Sequence, residues 1–302
     1  MNSKIDSKNN TQYQNSQENF QKNNHTIFIT GGSKRIGSEI VKYFAYQNNN
    51  SSNMYYNIAL HCHQSLKDAQ ELISNISNDK IKFHECVINK KSANEIHIVN
   101  KNQLGNYIQK FKIYQADLFN LKHTNNMLLE VYNDFNIPCL IINNASIFKE
   151  SNLLNFDEED FDKNFAIHVK SPIKIGSFFY EKLISSQTLN QNQPCIINIC
   201  DSNIVRGSTK YFNYLLSKKT LASATELLST QFAPSIRVNS IMPGYILASQ
   251  DEDTEYLNKL ENKIPMKQKG SFTDIIFAID FLFCSKYITG QSIFVDGGMK
   301  LV

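Results

Sequence analysis

Short apolar runs alternate with longer amphipathic segments from His25 to the end of the sequence. The run Thr26–Thr30 is rich in β-branched residues, and the segment after it carries Ile36, Ile40 and Phe44 at helical spacing. The same alternation predicts strands at 26–30, 57–62, 111–116, 139–142, 195–200, 237–241 and 292–295. It predicts helices at 36–47, 66–76, 121–134, 157–184, 211–232 and 273–283.

The predicted strands are mostly apolar along their whole length, as in CLII at 139–142. Strands of this kind are buried on both faces, as in a parallel sheet with helices on each side. We therefore predict an α/β fold of the Rossmann type, with a doubly wound parallel sheet of about seven strands. Because no repeat and no linker follows residue 25, residues 25–302 are expected to form one domain.

Two polar segments interrupt this pattern. Residues 1–24 consist largely of Asn, Gln, Ser, Lys and Asp, and they offer too little apolar surface to offset the chain entropy of folding. We expect them to form a disordered extension. Residues 78–110 are irregular and polar, so we expect an insertion with at most one helix.

Composition narrows the class of protein. Of the 302 residues 41% are hydrophobic, and 31 basic and 28 acidic side chains leave a net charge of +3. This balance predicts neither a nucleic-acid surface nor a membrane surface. No apolar stretch approaches the roughly 18 residues of a membrane span, and no apolar core precedes Thr26 as in a secretory signal. A cytoplasmic location is expected.

The six cysteines form no C-x-x-C pair, and several lie in apolar runs, where a thiol behaves as a small hydrophobe. Free thiols in a reducing compartment are expected. The alternative is a zinc site built from His61, Cys62, His63, His84 and Cys86. Their spacing matches no zinc motif, and adjacent strand residues point to opposite faces. We predict no metal.

Glycines follow the first predicted strand in the segment TGGSKRIG at 30–37. Gly31 and Gly37 permit a tight turn and a close approach of the backbone to a pyrophosphate, which the start of the next helix would attract. The spacing differs from the dinucleotide fingerprint with three closely spaced glycines. A purely structural turn is therefore the alternative.

The end of the second strand indicates which dinucleotide would bind. Sites for NAD place a carboxylate there for the ribose diol, but residues 60–65 read LHCHQS without an acid. Lys34 and Arg35 add positive charge nearby, and a 2′-phosphate suits cations, imidazoles and hydroxyl groups. NADPH is therefore predicted over NADH. Asp117, after the third strand, is placed to bind the adenine amino group.

Tyr214 and Lys218 stand four residues apart on one face of the predicted helix 211–232. A nearby ammonium would lower the pKa of the phenol, so that Tyr214 could exchange a proton near neutral pH. The pair is common by chance, and an exposed helical pair is the alternative.

Several individually weak motifs occur in one order along the chain. They are the glycine turn, Asn143-Asn144-Ala145, Tyr214 with Lys218, Pro243-Gly244 and Asp296-Gly297-Gly298. In this order, residues 25–302 resemble the short-chain dehydrogenase/reductase family. The resemblance implies a nicotinamide-dependent oxidoreductase with Tyr214 and Lys218 in its catalytic site.

One position departs from that family, which usually has a serine shortly before the tyrosine. Here Asp201 occupies that position, and Ser202 is adjacent. A carboxylate repels the negative charge that develops on a carbonyl oxygen, but it can donate or relay a proton to a ring nitrogen. Asp201 with Tyr214 and Lys218 resembles the pteridine reductases, and a carbonyl reductase shifted by one residue is the alternative.

The pteridine reductase resemblance extends to other segments. Asn144–Phe148 is similar to a stretch that contacts cofactor and pterin, so Phe148 is expected to stack on the pterin ring. The family usually has an arginine where this chain has Gln64. The C-terminal third is similar to the dihydromonapterin reductase branch, at residues 205–208, 237–241, 246–247, 251–256, 264–267 and 287–292.

These arguments and resemblances together predict the site residues. The cofactor-binding set is Gly31, Lys34, Arg35, Ile36, Gly37, His61, His63, Ser65, Asp117, Leu118, Asn144, Ala145, Ser146, Tyr214, Lys218, Pro243 and Gly244. The substrate-binding set is Arg35, Ser146, Phe148, Asp201 and Tyr214. The catalytic set is Asp201, Tyr214 and Lys218.

The predicted function is NADPH-dependent reduction of dihydropterins such as dihydromonapterin or dihydrobiopterin, with weaker reduction of dihydrofolate. The alternatives are a carbonyl reductase, such as a 3-oxoacyl thioester reductase, and an NADPH-binding sensor without turnover. The sensor is supported by His168, because many family members have an asparagine there that serves the proton relay. The resemblance also implies a homodimer or homotetramer built on helices 157–184 and 211–232. The segment 245–272 is expected to close over the substrate.

Overall fold

The computed structural model describes residues 25–49, 54–83, 86–92, 94–102, 105–151, 153–186, 193–206, 210–246 and 261–302. The expected N-terminal extension at 1–24 lies outside these residues. The strands are β1 Thr26–Thr30, β2 Asn48–Asn49, β3 Met54–Tyr55, β4 Asn57–Cys62, β5 Cys86–Ser92, β6 Glu95–Asn102, β7 Gly105–Gln115, β8 Leu140–Asn143, β9 Cys195–Ile199, β10 Arg237–Pro243 and β11 Ser292–Val295.

The α-helices are α1 Arg35–Tyr46, α2 Leu66–Phe83, α3 Leu121–Phe135, α4 Glu158–Phe165, α5 Ser171–Ser185, α6 Phe212–Phe232 and α7 Phe272–Cys284. Short 3-10 helices cover Leu153–Asn155, Ser202–Val205 and Met299–Leu301. None of the described helices is both long and apolar enough to cross a bilayer.

Among the described residues, nine strands form one sheet in the order β11-β10-β9-β8-β1-β4-β7-β6-β5. The strands from β11 to β7 are parallel, which confirms the predicted doubly wound parallel sheet. The short strands β2 and β3 pair with each other in a separate hairpin.

Residues 78–110 contain strands that the sequence did not predict. The helix α2 continues to Phe83, and β5 and β6 then add two antiparallel strands beyond β7. Ile96 and Ile98 of β6 are buried, while polar residues stand between and beside them. A strand that buries one face has polar residues at every second position, so its average composition is that of a loop.

Both faces of the sheet are covered, and β1 contributes to both layers of the core. Ile27 and Ile29 pack in a cluster with α1, α2 and α7, whereas Phe28 packs on the opposite face with α3 and α5. The rings of Phe28 and Phe179 meet edge to face, with 6.2 Å between centroids. The loops at the carboxyl ends of the strands are therefore the place where polar side chains from different strands can meet.

The single helix predicted at 157–184 is observed as α4 and α5 joined by a π-helical turn, Ala166–Lys170. A π-turn takes an additional residue into one turn of helix, and such turns are frequent at functional sites. His168 lies in this turn and is 1% exposed.

Of the six cysteines, the structure describes the side chains of five, and all five are free thiols. Cys62, Cys139, Cys195 and Cys200 are buried, and Cys284 is exposed. No group of three or more metal-ligating side chains occurs among the described residues.

Candidate active site

Loops from the carboxyl ends of β1, β4, β7 and β8 surround a cleft of about 400 Å³. Each of these loops contributes to the wall of the cleft, with Gly31, His63, Asp117 and Ala145 in that order. The cleft opens where the strands of a doubly wound sheet end, which is the usual position of a ligand site in such folds.

The two glycines of the segment after β1, Gly31 and Gly37, stand where the fold leaves no room for a side chain. Gly31 has a φ of +63°, and a Cβ atom there would lie 2.8 Å from Ala145 Cα. A Cβ atom at Gly37 would lie 2.1 Å from the Gly31 carbonyl oxygen. Asn144 holds the turn in place, because its Nδ2 donates to the carbonyl oxygens of Thr30 at 3.2 Å and Gly31 at 2.8 Å. Of this turn, Gly31 and Lys34 line the cleft, next to the start of α1.

His61 lies beneath this turn, and its predicted role at the 2′-phosphate is corrected. Its Nδ1 accepts from the Gly31 N–H at 3.2 Å, so its Nε2 carries the proton and donates to the Ala116 carbonyl oxygen at 3.1 Å. Burial lowers the pKa of His61 to about 4. Since the ring is neutral and both nitrogens are engaged, it supports the glycine turn and offers no donor to a phosphate.

The remaining polar groups predicted for the phosphate lie at the mouth of the cleft. Lys34 Nζ is 3.1 Å from Asp68 Oδ2, and Ser65 Oγ is 2.5 Å from Ser33 Oγ. His63 is exposed beside them. Sequence reasoning missed Asp68, although an acid in the first turn of α2 is a common helix-stabilising feature.

Arg35 is exposed at the start of α1 with a φ of +52°. Its guanidinium lies close enough to Tyr214 to lower the pKa of the phenol, whereas burial and the charge of Asp201 raise it. Arg35 therefore lies next to the glycine turn and within electrostatic reach of Tyr214.

Asp117 and Leu118 border the cleft on the side of β7. Asp117 Oδ1 accepts from the Phe119 N–H at 3.0 Å, and the Leu118 carbonyl oxygen accepts from the Ser171 hydroxyl at 3.0 Å. These bonds fix the loop after β7 and place the Asp117 carboxylate at the edge of the cleft.

The buried Tyr214 and the half-buried Asp201 form a hydrogen-bonded pair. Tyr214 Oη donates to Asp201 Oδ2 at 2.8 Å, and Asp201 Oδ1 accepts from the Asn203 N–H at 2.7 Å. Ser202 is 1% exposed and takes no part in this pair. Asp201, and not its serine neighbour, is therefore the residue that faces the tyrosine hydroxyl.

The expected lowering of the Tyr214 pKa by Lys218 is wrong. Burial and, next, the charge of Asp201 raise the pKa of Tyr214 well above its ordinary value. Lys218 Nζ donates to the Ile199 carbonyl oxygen at 2.7 Å and lies 5.9 Å from the Tyr214 ring centroid. Burial lowers the pKa of Lys218 and raises that of Asp201.

Phe148 stands beside Tyr214 and is 58% exposed. Its ring stacks on Tyr211 at 4.4 Å and meets Tyr214 edge to face at 4.8 Å between centroids. Tyr211 was missed by sequence reasoning, and the signal that could have found it is a second aromatic at the start of the helix that carries Tyr214. Together Phe148 and Tyr211 form an aromatic surface next to the Tyr214 ring.

The far side of the site is formed by the ends of β10 and β11. Pro243 pairs with Val295, and a Cβ atom at Gly244 would lie 2.5 Å from Asp296 Cα. Of the segment 245–272 that is expected to close over the substrate, residues 247–260 lie outside the described part of the chain.

Comparison with known proteins identifies the family. The sequence model of a family described as enoyl-(acyl carrier protein) reductase matches residues 86–300. The same span contains the Tyr214–Lys218 pair and the helix α6 that carries it. The chain belongs to the short-chain dehydrogenase/reductase family. This short-chain dehydrogenase/reductase has relatives of more than one activity.

It is 25% identical to the 3-oxoacyl-(acyl-carrier-protein) reductase FabG of Staphylococcus epidermidis, over 92% of this chain and 100% of that enzyme. It is 40% identical over 106 residues to the dihydromonapterin reductase of an Enterobacter species, which is 35% of this chain and 44% of that enzyme. The second match thus spans less than half of that relative. The crystal structure of FolM alternative dihydrofolate reductase 1 from Brucella canis, complexed with NADP, has a TM-score of 0.72 at 25% identity and covers 92% of this chain and 95% of that chain.

Proposed function

We propose that this chain is an NADPH-dependent pteridine reductase that reduces dihydropterins. Dihydromonapterin and dihydrobiopterin are the first candidates, and dihydrofolate is a weaker substrate. The observation that carries the proposal is the 2.8 Å hydrogen bond from Tyr214 Oη to Asp201 Oδ2. A similarity to a dihydromonapterin reductase and to a FolM structure, both with modest identity, supports it.

The residues of the cleft fit a phosphorylated dinucleotide. The glycine turn would hold the pyrophosphate against the start of α1, because Gly31 lines the cleft there and has no side chain. Lys34, His63 and Ser65 would hold the 2′-phosphate, and Asp117 the adenine. When bound, NADPH supplies the hydride. A structural neighbour bound to NADP is consistent with this assignment.

The hydrogen-bonded pair of Asp201 and Tyr214 supplies the proton. Burial raises the pKa of both Asp201 and Tyr214, so the pair retains a proton at neutral pH. The Asn203 N–H fixes one oxygen of Asp201, which leaves the other oxygen to the tyrosine hydroxyl. A ring nitrogen next to Tyr214 Oη would receive the proton, and the aromatic surface of Phe148 and Tyr211 suits a flat heterocycle.

A 3-oxoacyl thioester reductase is the second candidate, because the similarity to FabG extends over nearly the whole chain. In that reaction negative charge develops on a carbonyl oxygen. The Asp201 carboxylate would oppose this charge, since it stands hydrogen-bonded to the proton donor itself. We therefore favour the pterin.

The first experiment follows the loss of NADPH absorbance with purified protein. The substrates are dihydromonapterin, dihydrobiopterin, dihydrofolate and an acetoacetyl thioester. We expect turnover of a dihydropterin and a loss of at least about 100-fold in kcat for Tyr214→Phe, as removal of a general acid predicts. Asp201→Ser is expected to lower pterin turnover as well.

Turnover of the thioester alone would refute the proposal in favour of the carbonyl reductase. The same conclusion would follow if Asp201→Ser raised carbonyl reduction while pterin turnover stayed intact. Tight NADPH binding without turnover of any of these substrates would favour the sensor.

A further inference from the structure

Protein groups engage both ring nitrogens of His168. Nδ1 lies 2.8 Å from Ser217 Oγ. Nε2 lies 3.0 Å from Ser146 Oγ and 3.2 Å from the backbone nitrogen of Ile147. The side chain thus connects α6, which carries Tyr214, to the loop after β8, which carries Phe148.

The partners of His168 determine its tautomer. The Ile147 N–H can only donate, so Nε2 accepts and carries no hydrogen. Ser217 Oγ gives its own hydrogen to the Tyr214 carbonyl oxygen at 2.7 Å, so it accepts from Nδ1–H. An imidazolium would direct a second N–H at the Ile147 N–H. Burial and, next, the charge of Lys218 hold the pKa of His168 well below its ordinary value, in agreement with the neutral ring.

This hydrogen-bonded chain is not a path for protons. From Nδ1 it continues to Ser217 and ends at the Tyr214 carbonyl oxygen, which has no proton to pass on. Within the described residues, the Tyr214 hydroxyl instead donates to Asp201, and Lys218 Nζ donates to the Ile199 carbonyl oxygen. The contacts of His168 therefore hold backbone segments in place.

We propose that His168 is a positioning residue for the substrate site. As the neutral Nδ1–H tautomer it holds Ser146, Ile147 and hence Phe148 at a fixed distance from α6, and it relays no proton. The inference rests on the proposed function, because it takes the loop that carries Phe148 as a wall of the pterin site. Loss of the Nε2 contact loosens this wall and raises KM for the dihydropterin, while the Asp201–Tyr214 pair and kcat are largely preserved.

Two variants of His168 with amide side chains distinguish the contact at Nδ1 from the contact at Nε2. In His168→Asn the amide nitrogen can take the place of Nδ1 but the side chain is too short to reach Ile147. In His168→Gln the amide oxygen can take the place of Nε2 and accept from the Ile147 N–H. We expect His168→Asn to raise KM on the order of tenfold with kcat changed less than about threefold, as for one lost hydrogen bond. We expect His168→Gln to keep KM within about threefold.

The proposal would be overturned if His168→Gln raised KM more than His168→Asn did. It would also be overturned if kcat fell while KM stayed constant. Circular dichroism and thermal unfolding show whether each variant folds. If the wild-type protein reduces no dihydropterin, the proposed function fails. The tautomer of His168 and its bond to the loop can still be measured in that case.

The tautomer is measured on the wild-type protein, so it does not depend on the folding of a variant. Protein labelled with ¹⁵N in its histidine rings is studied by NMR at neutral pH, and the His168 signals are assigned by their loss in His168→Gln. We expect a protonated Nδ1 and an unprotonated Nε2, with the Nδ1 proton protected from solvent exchange. An imidazolium or an Nε2–H tautomer would overturn the assignment.

Discussion

At the mouth of the cleft, the Asp68 carboxylate would compete with a bound 2′-phosphate for the ammonium group of Lys34. Lys34 Nζ is 3.1 Å from Asp68 Oδ2, with the two side chains 59% and 44% exposed. Both residues border the same cleft as His63 and Ser65, the groups expected around the 2′-phosphate. An exposed ion pair of this kind contributes only about 0–1 kcal/mol. The pair is therefore easily opened, but the Asp68 carboxylate remains near any phosphate that binds there.

Removal of this carboxylate should improve binding of NADPH. We expect Asp68→Asn to lower the Kd for NADPH about two- to fivefold and to leave the Kd for NADH unchanged, since NADH lacks the 2′-phosphate. The gain should shrink as salt is added, because the charges are exposed. Fluorescence titration of both nucleotides at two salt concentrations measures this.

Glu71→Gln is the matched control for Asp68→Asn, because Glu71 is an exposed acid of the same helix that does not border this cleft. It removes one negative charge in the same way and is expected to change the Kd for NADPH less. An equal change for both nucleotides, or weaker NADPH binding in Asp68→Asn, would contradict the role given to Asp68.

At the scale of elements, the burial of one face of each helix stabilises the fold that holds the site in place. The helix α3 carries two consecutive leucines, of which Leu128 is 0% exposed in the core and Leu129 is 46% exposed. Leu128→Ala is expected to lower the free energy of unfolding by about 2–5 kcal/mol, from lost burial and the cavity left behind. Leu129→Ala is expected to lower it by less than about 1 kcal/mol.

Urea unfolding measures both leucine variants. They delete the same atoms at neighbouring positions of one helix, so helix propensity is changed equally and the difference reports burial alone. Equal losses of stability in the two variants would mean that the observed orientation of α3 is wrong.

The elements that could be predicted are those that are buried on both faces. The runs at 139–142 and 195–200 are nearly free of polar residues, so their strands were found in the sequence. The hairpin of β5 and β6 was missed because polar residues interrupt its apolar positions, as Glu95 and His97 do on either side of the buried Ile96. The π-turn at His168 was missed because one additional residue hardly disturbs a helical pattern of apolar positions.

Of the candidate site, too, some features could be predicted from the sequence and others could not. The resemblance to the family was sufficient to predict that Asp201 stands near Tyr214, and the two side chains are hydrogen-bonded at 2.8 Å. It could not show that both ring nitrogens of His61 are engaged, because their partners, the Gly31 N–H and the Ala116 carbonyl oxygen, belong to segments distant in the sequence. The pKa of Tyr214 was also beyond reach, since it depends on burial and not on spacing.

At the scale of the whole molecule, the fold buries histidines in their neutral form. Burial lowers the pKa of His25, His61 and His168, and that of His61 falls to about 4. Unfolded, each would titrate near pH 6.5. Between the two pKa values only the unfolded chain binds the proton, so acid favours unfolding. The stability associated with these groups is therefore complete above about pH 6.5 and is lost as the pH falls toward the folded pKa.

The contribution of His61 can be isolated, because its neighbour His63 lies two residues away on the same segment and is exposed. In His61→Asn the amide oxygen can still accept from the Gly31 N–H, but the variant has no imidazole to protonate. Between pH 7 and pH 4 we expect the free energy of unfolding of the wild-type protein to fall by about 3 kcal/mol more than that of His61→Asn. His63→Asn should lose stability in parallel with the wild-type protein. Urea unfolding at a series of pH values gives the three curves, and a wild-type acid dependence in His61→Asn would show that the imidazole beneath the glycine turn is not the group that titrates.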